Sequence, residues 1–241
     1  GVWPLFHLRE PQRQGDLRLW NELLRLVASG RLLPTVGQPQ RPQACPETAC
    51  NATLELPYLC GSCGTLLREP PGLSHFARFG IEPKMDIDLV RLEEIYMGLA
   101  RKMHPDRMVT QKRAVQTRAL VLTSALNDSY RALVDERQRA EHLLKLAGGP
   151  TADAHKAAPQ AFLLEMMDLH EEVEQAKDAG DVGRLEGMGA GVVESYAGCM
   201  ARVRGLLSSS SPNLVEVREQ LNVAKYWNTL RAEIDAARKA S

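Results

Sequence analysis

Beyond about residue 86, apolar residues recur every three or four positions over most of the chain, the period of helices that bury one face. Leu89, Leu92, Tyr96, Leu99 and Met103 form one such stripe, and Asp86 ahead of it predicts an N-cap. Val115, Ala119, Leu122, Leu126, Tyr130 and Leu133 form the next, so two long helices can lie antiparallel across the loop between them. A shorter helix, ERQRAEHLLKLAGG, ends in two glycines suited to a C-terminal cap. GGPTADAHKAAPQ then breaks the pattern and predicts a boundary. Three further helices are expected at 159–179, 181–207 and 212–239, with Ser211 as a cap and Pro212 in the first turn. In the first of these, Phe162, Met166, Leu169, Val173 and Ala176 make a complete inward face. Leu163, Leu164 and Met167 are left over, and either contact another helix or form an exposed patch.

Upstream, DLRLWNELLRLVASG predicts one helix with Asp16 as N-cap and Gly30 as its stop, within a Pro-, Gln- and Arg-rich stretch. No strand pattern is visible outside a small cysteine hairpin. The expected fold is mainly α: a helical hairpin and a C-terminal three-helix bundle, preceded by a small zinc-ribbon-like β module. The expected segments are an appendage over 1–43, a tetracysteine module over 44–67, a stiff REPPGL connector, a hairpin domain over 74–149 and the bundle over 156–241.

Composition narrows the function classes. The 30 Lys and Arg balance 30 Asp and Glu, so no global field favours nucleic acid or an anionic membrane, and basic contacts must be local. No apolar run is long enough to span a bilayer. The first residues lack the apolar core of a signal peptide and carry Glu10 and Asp16, which a mitochondrial presequence tends to avoid. A cytoplasmic location is therefore the expectation, with a mitochondrial one as the alternative.

Four of the five cysteines form one cluster by spacing: Cys45 and Cys50 enclose four residues, and Cys60 and Cys63 enclose two. Two short cysteine turns can supply four thiolates to a tetrahedral structural zinc, which leaves no open position for catalysis. Disulfides or unligated thiols are the alternatives. The other chemical signal is MHPDR at 103–107. Pro105 lacks an N–H and biases His104 out of helical dihedrals, so the triplet is a loop at the tip of the helical hairpin. No nucleophile, oxyanion donor or third orienting group stands beside His104 and Asp106, which argues for recognition rather than catalysis, and an enzyme is not expected. On the preceding helix Arg91, Arg101 and Lys102 fall opposite the apolar stripe. They suit either an acidic partner or plain solvation.

SHFARFGIEP, HPDR, NDSYRALVDERQRAEHLLKLAG and AFLLEMMDLHEEV together resemble the HscB family of J-domain co-chaperones in iron–sulfur cluster biogenesis, over about residues 74–239. Some members carry a cysteine-rich N-terminal zinc module. The resemblance implies that His104, Pro105, Asp106 and Arg107, with Arg91, Arg101 and Lys102, dock on a DnaK-type (HscA-like) chaperone and stimulate its ATP hydrolysis. It implies that Leu163, Leu164, Met167, Asp168 and Glu171, with Lys225 and Tyr226, bind the cluster scaffold protein. Cys45, Cys50, Cys60 and Cys63 would hold zinc. The expected partners are thus chaperone and scaffold, with neither nucleic acid nor membrane, and self-association stays open. A J-protein for another client is the nearest alternative. A zinc-ribbon nucleic-acid binder is a more distant one, which the neutral total charge disfavours.

Overall fold

The computed structural model describes residues 44–156 and 158–240, and the helix expected within residues 1–43 lies outside them. In chain order the helices are α1 His75–Phe79, α2 Leu89–Met103, α3 Arg113–Val134, α4 Glu136–Leu146, α5 Gln160–Asp178, α6 Val182–Leu207 and α7 Leu214–Ala240, with a 3-10 turn, Pro105–Met108, between α2 and α3. The protein is mainly helical. Among the described residues the β character of the cysteine module is confined to three isolated antiparallel bridges, Ala44–Thr53, Leu56–Leu59 and Leu59–Leu66. So short a segment uses its backbone groups to close turns: Cys60 N–H donates to Thr65 O at 3.0 Å and Gly64 N–H to Cys60 O at 3.0 Å.

Two caps differ from expectation. Asp88, not Asp86, starts α2, accepting from the Arg91 N–H at 3.0 Å. Asp86 instead meets Arg204 of α6 at 3.1 Å. At α7 the capping side chain is Asn213, which accepts from the Glu216 N–H at 3.2 Å, and Ser211 and Pro212 lie ahead of the helix. In both cases several polar residues precede the apolar run, and tertiary packing selects the one nearest the first turn.

One core joins Leu92, Leu99 and Met103 of α2 to Ala119, Leu122, Leu126 and Leu133 of α3 and to Phe76 and Phe79 of α1. It also takes in Tyr58, Leu59 and Leu66 of the cysteine module. Burying each of these leucines stabilises by roughly 1.5–3 kcal/mol, so the module is seated on the hairpin. REPPGL is accordingly no free spacer. Its Glu69 forms a two-pronged pair with Arg78 at 2.6 and 2.8 Å, and the Tyr58 hydroxyl donates to Arg78 O at 2.6 Å.

Asp135 ends α3 with extended dihedrals and caps α4, accepting from the Gln138 N–H at 2.8 Å. The buried Arg139 then donates to Met85 O at 2.8 Å and to Leu133 O, satisfying its charge with carbonyls. At the other end of α4, a side chain on Gly149 would place its Cβ 2.2 Å from Leu144 Cδ1, so the buried Leu144 would have to shift to admit it.

A second core packs Ala140 and Leu144 of α4 against Met200 and Val203 of α6 and Val217, Leu221 and Ala224 of α7. Across it the Arg218 guanidinium, 3% exposed, forms a bidentate pair with Glu141 at 2.5 and 2.6 Å. The segment read as a boundary also docks: Asn222 donates to His155 O at 2.9 Å. The hairpin helices and the C-terminal helices are therefore held together by apolar burial and paired charges. In the third core Met166, Val173 and Ala176 of α5 face Leu185 and Val192 of α6 and Trp227, Leu230 and Ile234 of α7.

Candidate functional site

α2 stops at Met103, where His104 takes φ −56° and ψ 130°, the extended geometry that a following proline enforces. Pro105 opens the 3-10 turn, where its missing N–H leaves no bond unmade. The His104 ring folds onto this turn: Nδ1 accepts from the Asp106 N–H at 3.3 Å and lies 3.5 Å from Asp106 Oδ2. The His104 and Asp106 side chains are 54% and 87% exposed, so neither serves the core. The expected loop at the hairpin tip is present.

The basic residues of α2 and of the loop differ in their ties. Arg91 is paired to Glu94 at 2.9 Å on the open surface, an interaction worth at most about 1 kcal/mol and easily exchanged. Arg101 Nε donates to Met97 O at 3.3 Å. Lys102 and Arg107 are exposed, and both line an open cleft whose opposite wall is the Cys60–Leu66 turn. Arg118 lines the same cleft. Its position had no distinguishing mark in the sequence, because a charged residue beside an apolar stripe is ordinary.

The cysteines converge. The thiol sulphurs of Cys45, Cys50, Cys60 and Cys63 all lie within 4.8 Å of one another, with Cys45–Cys63 at 3.6 Å and Cys50–Cys60 at 3.7 Å. A tetrahedron with metal–sulphur bonds of about 2.3 Å has edges of about 3.8 Å, so the donor set fits a metal ion, and all five cysteines are free of disulfides. The long first turn closes because the Cys50 and Asn51 N–H groups both donate to Glu47 O, at 2.9 and 3.2 Å, with Asn51 at φ 45°. In the second turn Gly64 takes φ 74°, which a side chain would oppose. The Thr65 hydroxyl, 3.1 Å from the Cys63 sulphur, and the Thr65 backbone hold that thiol down at about 6. At Cys45 the Glu47 backbone donor favours the thiolate, yet burial and the neighbouring cysteines push the thiol up to about 12. Four thiolates at this spacing repel one another, and a divalent cation is what lets all four ionise together.

The surplus apolar positions of α5 resolve in one direction. Met166, Val173 and Ala176 are buried, while Leu164 and Met167 are 57% and 67% exposed. Leu163 is half-buried, and Asp168 and Glu171 face solvent beside them. Phe162 and Leu169, read as inward, are half-buried and pack at the edge of the core. On α7, Lys225 is exposed and Tyr226 is 39% exposed, its ring 5.8 Å from that of Phe162 in an edge-on contact. Phe162 thus brings Tyr226 against the first turn of α5, the helix that carries the exposed Leu164 and Met167.

Comparison with known proteins places this arrangement. Residues 158–235 match the family model of the HSCB C-terminal oligomerisation domain. The co-chaperone protein HscB homolog of Neisseria meningitidis serogroup C / serotype 2a is 29% identical over 164 residues, covering 68% of this chain and 98% of the relative. The fold resembles chaperone HscB from Vibrio cholerae with a TM-score of 0.63 at 25% identity, over 69% of this chain and 98% of that one. It also resembles the crystal structure of human co-chaperone protein HscB with a TM-score of 0.69 at 19% identity, over 85% of this chain and 95% of that one, a likeness of fold. With the His-Pro-Asp loop at the tip of the α2–α3 hairpin and the matched C-terminal domain behind it, the chain is similar to the HscB-type co-chaperones along both parts of their fold.

Proposed function

We propose that the chain is a two-ended adaptor of iron–sulfur cluster assembly. Its HPD loop stimulates the ATPase of a DnaK-type, HscA-like chaperone, and its C-terminal bundle delivers the cluster scaffold protein to that chaperone. The observation that carries the reading is the exposed His104–Asp106 triplet at the hairpin tip of a chain similar to this family. The ATP site belongs to the partner, and this chain acts by binding. Arg101, Lys102 and Arg107 supply positive charge around the triplet, with Arg91 at the far end of the same helix, which speeds encounter and sets orientation more than it adds affinity.

The scaffold end uses Leu163, Leu164, Met167, Asp168 and Glu171 of α5 with Lys225 and Tyr226 of α7. An apolar centre with a charged rim is the composition of a specific, reversible interface. The core shared by α4, α6 and α7, with the Arg218–Glu141 pair across it, holds the two ends at a fixed separation, so the scaffold is presented rather than merely tethered. The direct test is single-turnover ATP hydrolysis by the chaperone. Addition of the full chain is expected to accelerate it at least ~10-fold, and scaffold with chain is expected to accelerate it further. Unchanged hydrolysis would contradict the reading.

The cysteine site is assigned to structural zinc, because soft thiolates in a closed tetrahedral set suit that ion. Elemental analysis of the purified chain is expected to find one equivalent of zinc. Replacing Cys60 and Cys63 together by Ser should leave none. Iron or an absence of metal in the wild type would count against the assignment.

A further inference from the structure

The cysteine module and the loop-bearing end of the hairpin share their interior. Leu59 and Leu66, each 3% exposed, lie in one buried cluster with Met103, the last residue of α2, and with Ala119 of α3. Arg118 of α3 donates from its guanidinium to Leu66 O at 2.7 Å. The Cys60–Leu66 turn and the segment from Lys102 to Arg118 then form the two walls of one cleft, with Lys102, Arg107 and Arg118 on the hairpin side. None of these three cations is in an ion pair among the described residues. A divalent ion held by four thiolates leaves a net formal charge of about −2 on the centre. Loading the site therefore places negative charge across the cleft from three cations outside ion pairs, two of which, Lys102 and Arg107, flank the His104–Asp106 triplet in the chain.

We propose that metal occupancy of the cysteine site orders the Met103–Arg118 segment, so that the chaperone-docking end of the hairpin responds to the metal. Three links carry the coupling: the burial of Leu59 and Leu66 in one cluster with Met103 and Ala119, the hydrogen bond from Arg118 to Leu66, and the attraction of the loaded centre for Lys102, Arg107 and Arg118. The module thus acts as a positioning brace for the loop, over and above holding itself together. Coupling of this kind is reciprocal, and a partner clamped on the loop slows loss of the metal. The inference rests on the metal assignment above and is separable from it by experiment.

Hydrogen exchange of the full chain, loaded with zinc and after chelation, reads the coupling without any partner. Amides in 103–118 are expected to exchange at least ~10-fold faster once the metal is removed, with α5, α6 and α7 unchanged. Arg118→Ala leaves all four cysteines in place. It is expected to weaken zinc retention in chelator competition ~3–10-fold and to speed exchange around the triplet, and Arg118→Lys should restore most of both. Exchange changes confined to 44–67 would overturn the proposal. So would an Arg118→Ala chain with wild-type zinc affinity and exchange, or unfolding of the whole chain on chelation, which would make the metal a general staple. A wild type that takes up no metal overturns the metal assignment together with this inference.

Discussion

Replacing His104 by Gln is expected to reduce stimulation of the chaperone ATPase to the basal rate, a loss of at least ~10-fold, while leaving the fold intact. The side chain is more than half exposed, and its bonds are to its own turn. A surface substitution of that kind changes stability by about 0.5 kcal/mol or less. Loss of stimulation with an unchanged melting curve therefore isolates recognition. A variant that stimulates like wild type, or one that unfolds, would show that the loop has another task. Asp106→Asn provides a second probe, since the 87% exposed carboxylate is free to meet the partner.

The second large effect is expected on α5. Changing Leu163, Leu164 and Met167 together to Ala should weaken scaffold binding by at least ~100-fold, because central apolar anchors dominate such interfaces at ~2 kcal/mol or more for the best of them. Leu164 and Met167 are mostly exposed, so truncating them forfeits little folding energy, and the half-buried Leu163 forfeits about 1 kcal/mol. Met166→Ala is the contrasting change. Met166 is 3% exposed within the bundle core, and its loss should destabilise by ~2–5 kcal/mol. A triple variant that melts as early as Met166→Ala would place those side chains in the core. Binding measured by calorimetry and unfolding measured by circular dichroism separate the outcomes.

These expectations rest on features that differ in how far the sequence revealed them. The helical stripes were legible because a 3.6-residue period is a local property: Leu92, Leu99 and Met103 repeat correctly and are buried. The stop at His104 was legible because proline acts on its immediate neighbour. Choosing Asp88 over Asp86 as the cap was not, since Asp86 is drawn to Arg204, a residue more than a hundred positions away. The convergence of Cys45, Cys50, Cys60 and Cys63 followed from spacing. The seating of their module on the hairpin did not, because Tyr58, Leu59 and Leu66 look like ordinary turn-flanking apolar residues until the fold buries them in one cluster with Phe76 and Met103. The same limit applies between hairpin and bundle. Arg218 and Glu141 are each unremarkable charges on amphipathic helices, and only their meeting across α4 and α7 pairs the buried guanidinium. For α5 the sequence counted more apolar residues than one face can bury, and the fold shows Leu164 and Met167 to be the ones outside.

The most direct test of the adaptor account is whether one chain bridges both partners. With the chaperone immobilised in its ATP state, scaffold protein should be retained when the full chain is added and should pass through without it. The Leu163, Leu164 and Met167 triple variant should bind the chaperone but leave the scaffold in the flow-through, and His104→Gln should retain neither. Capture of the chain by the chaperone with no scaffold alongside it, at concentrations where all three proteins are in excess, would contradict the account and assign the chain to a different client.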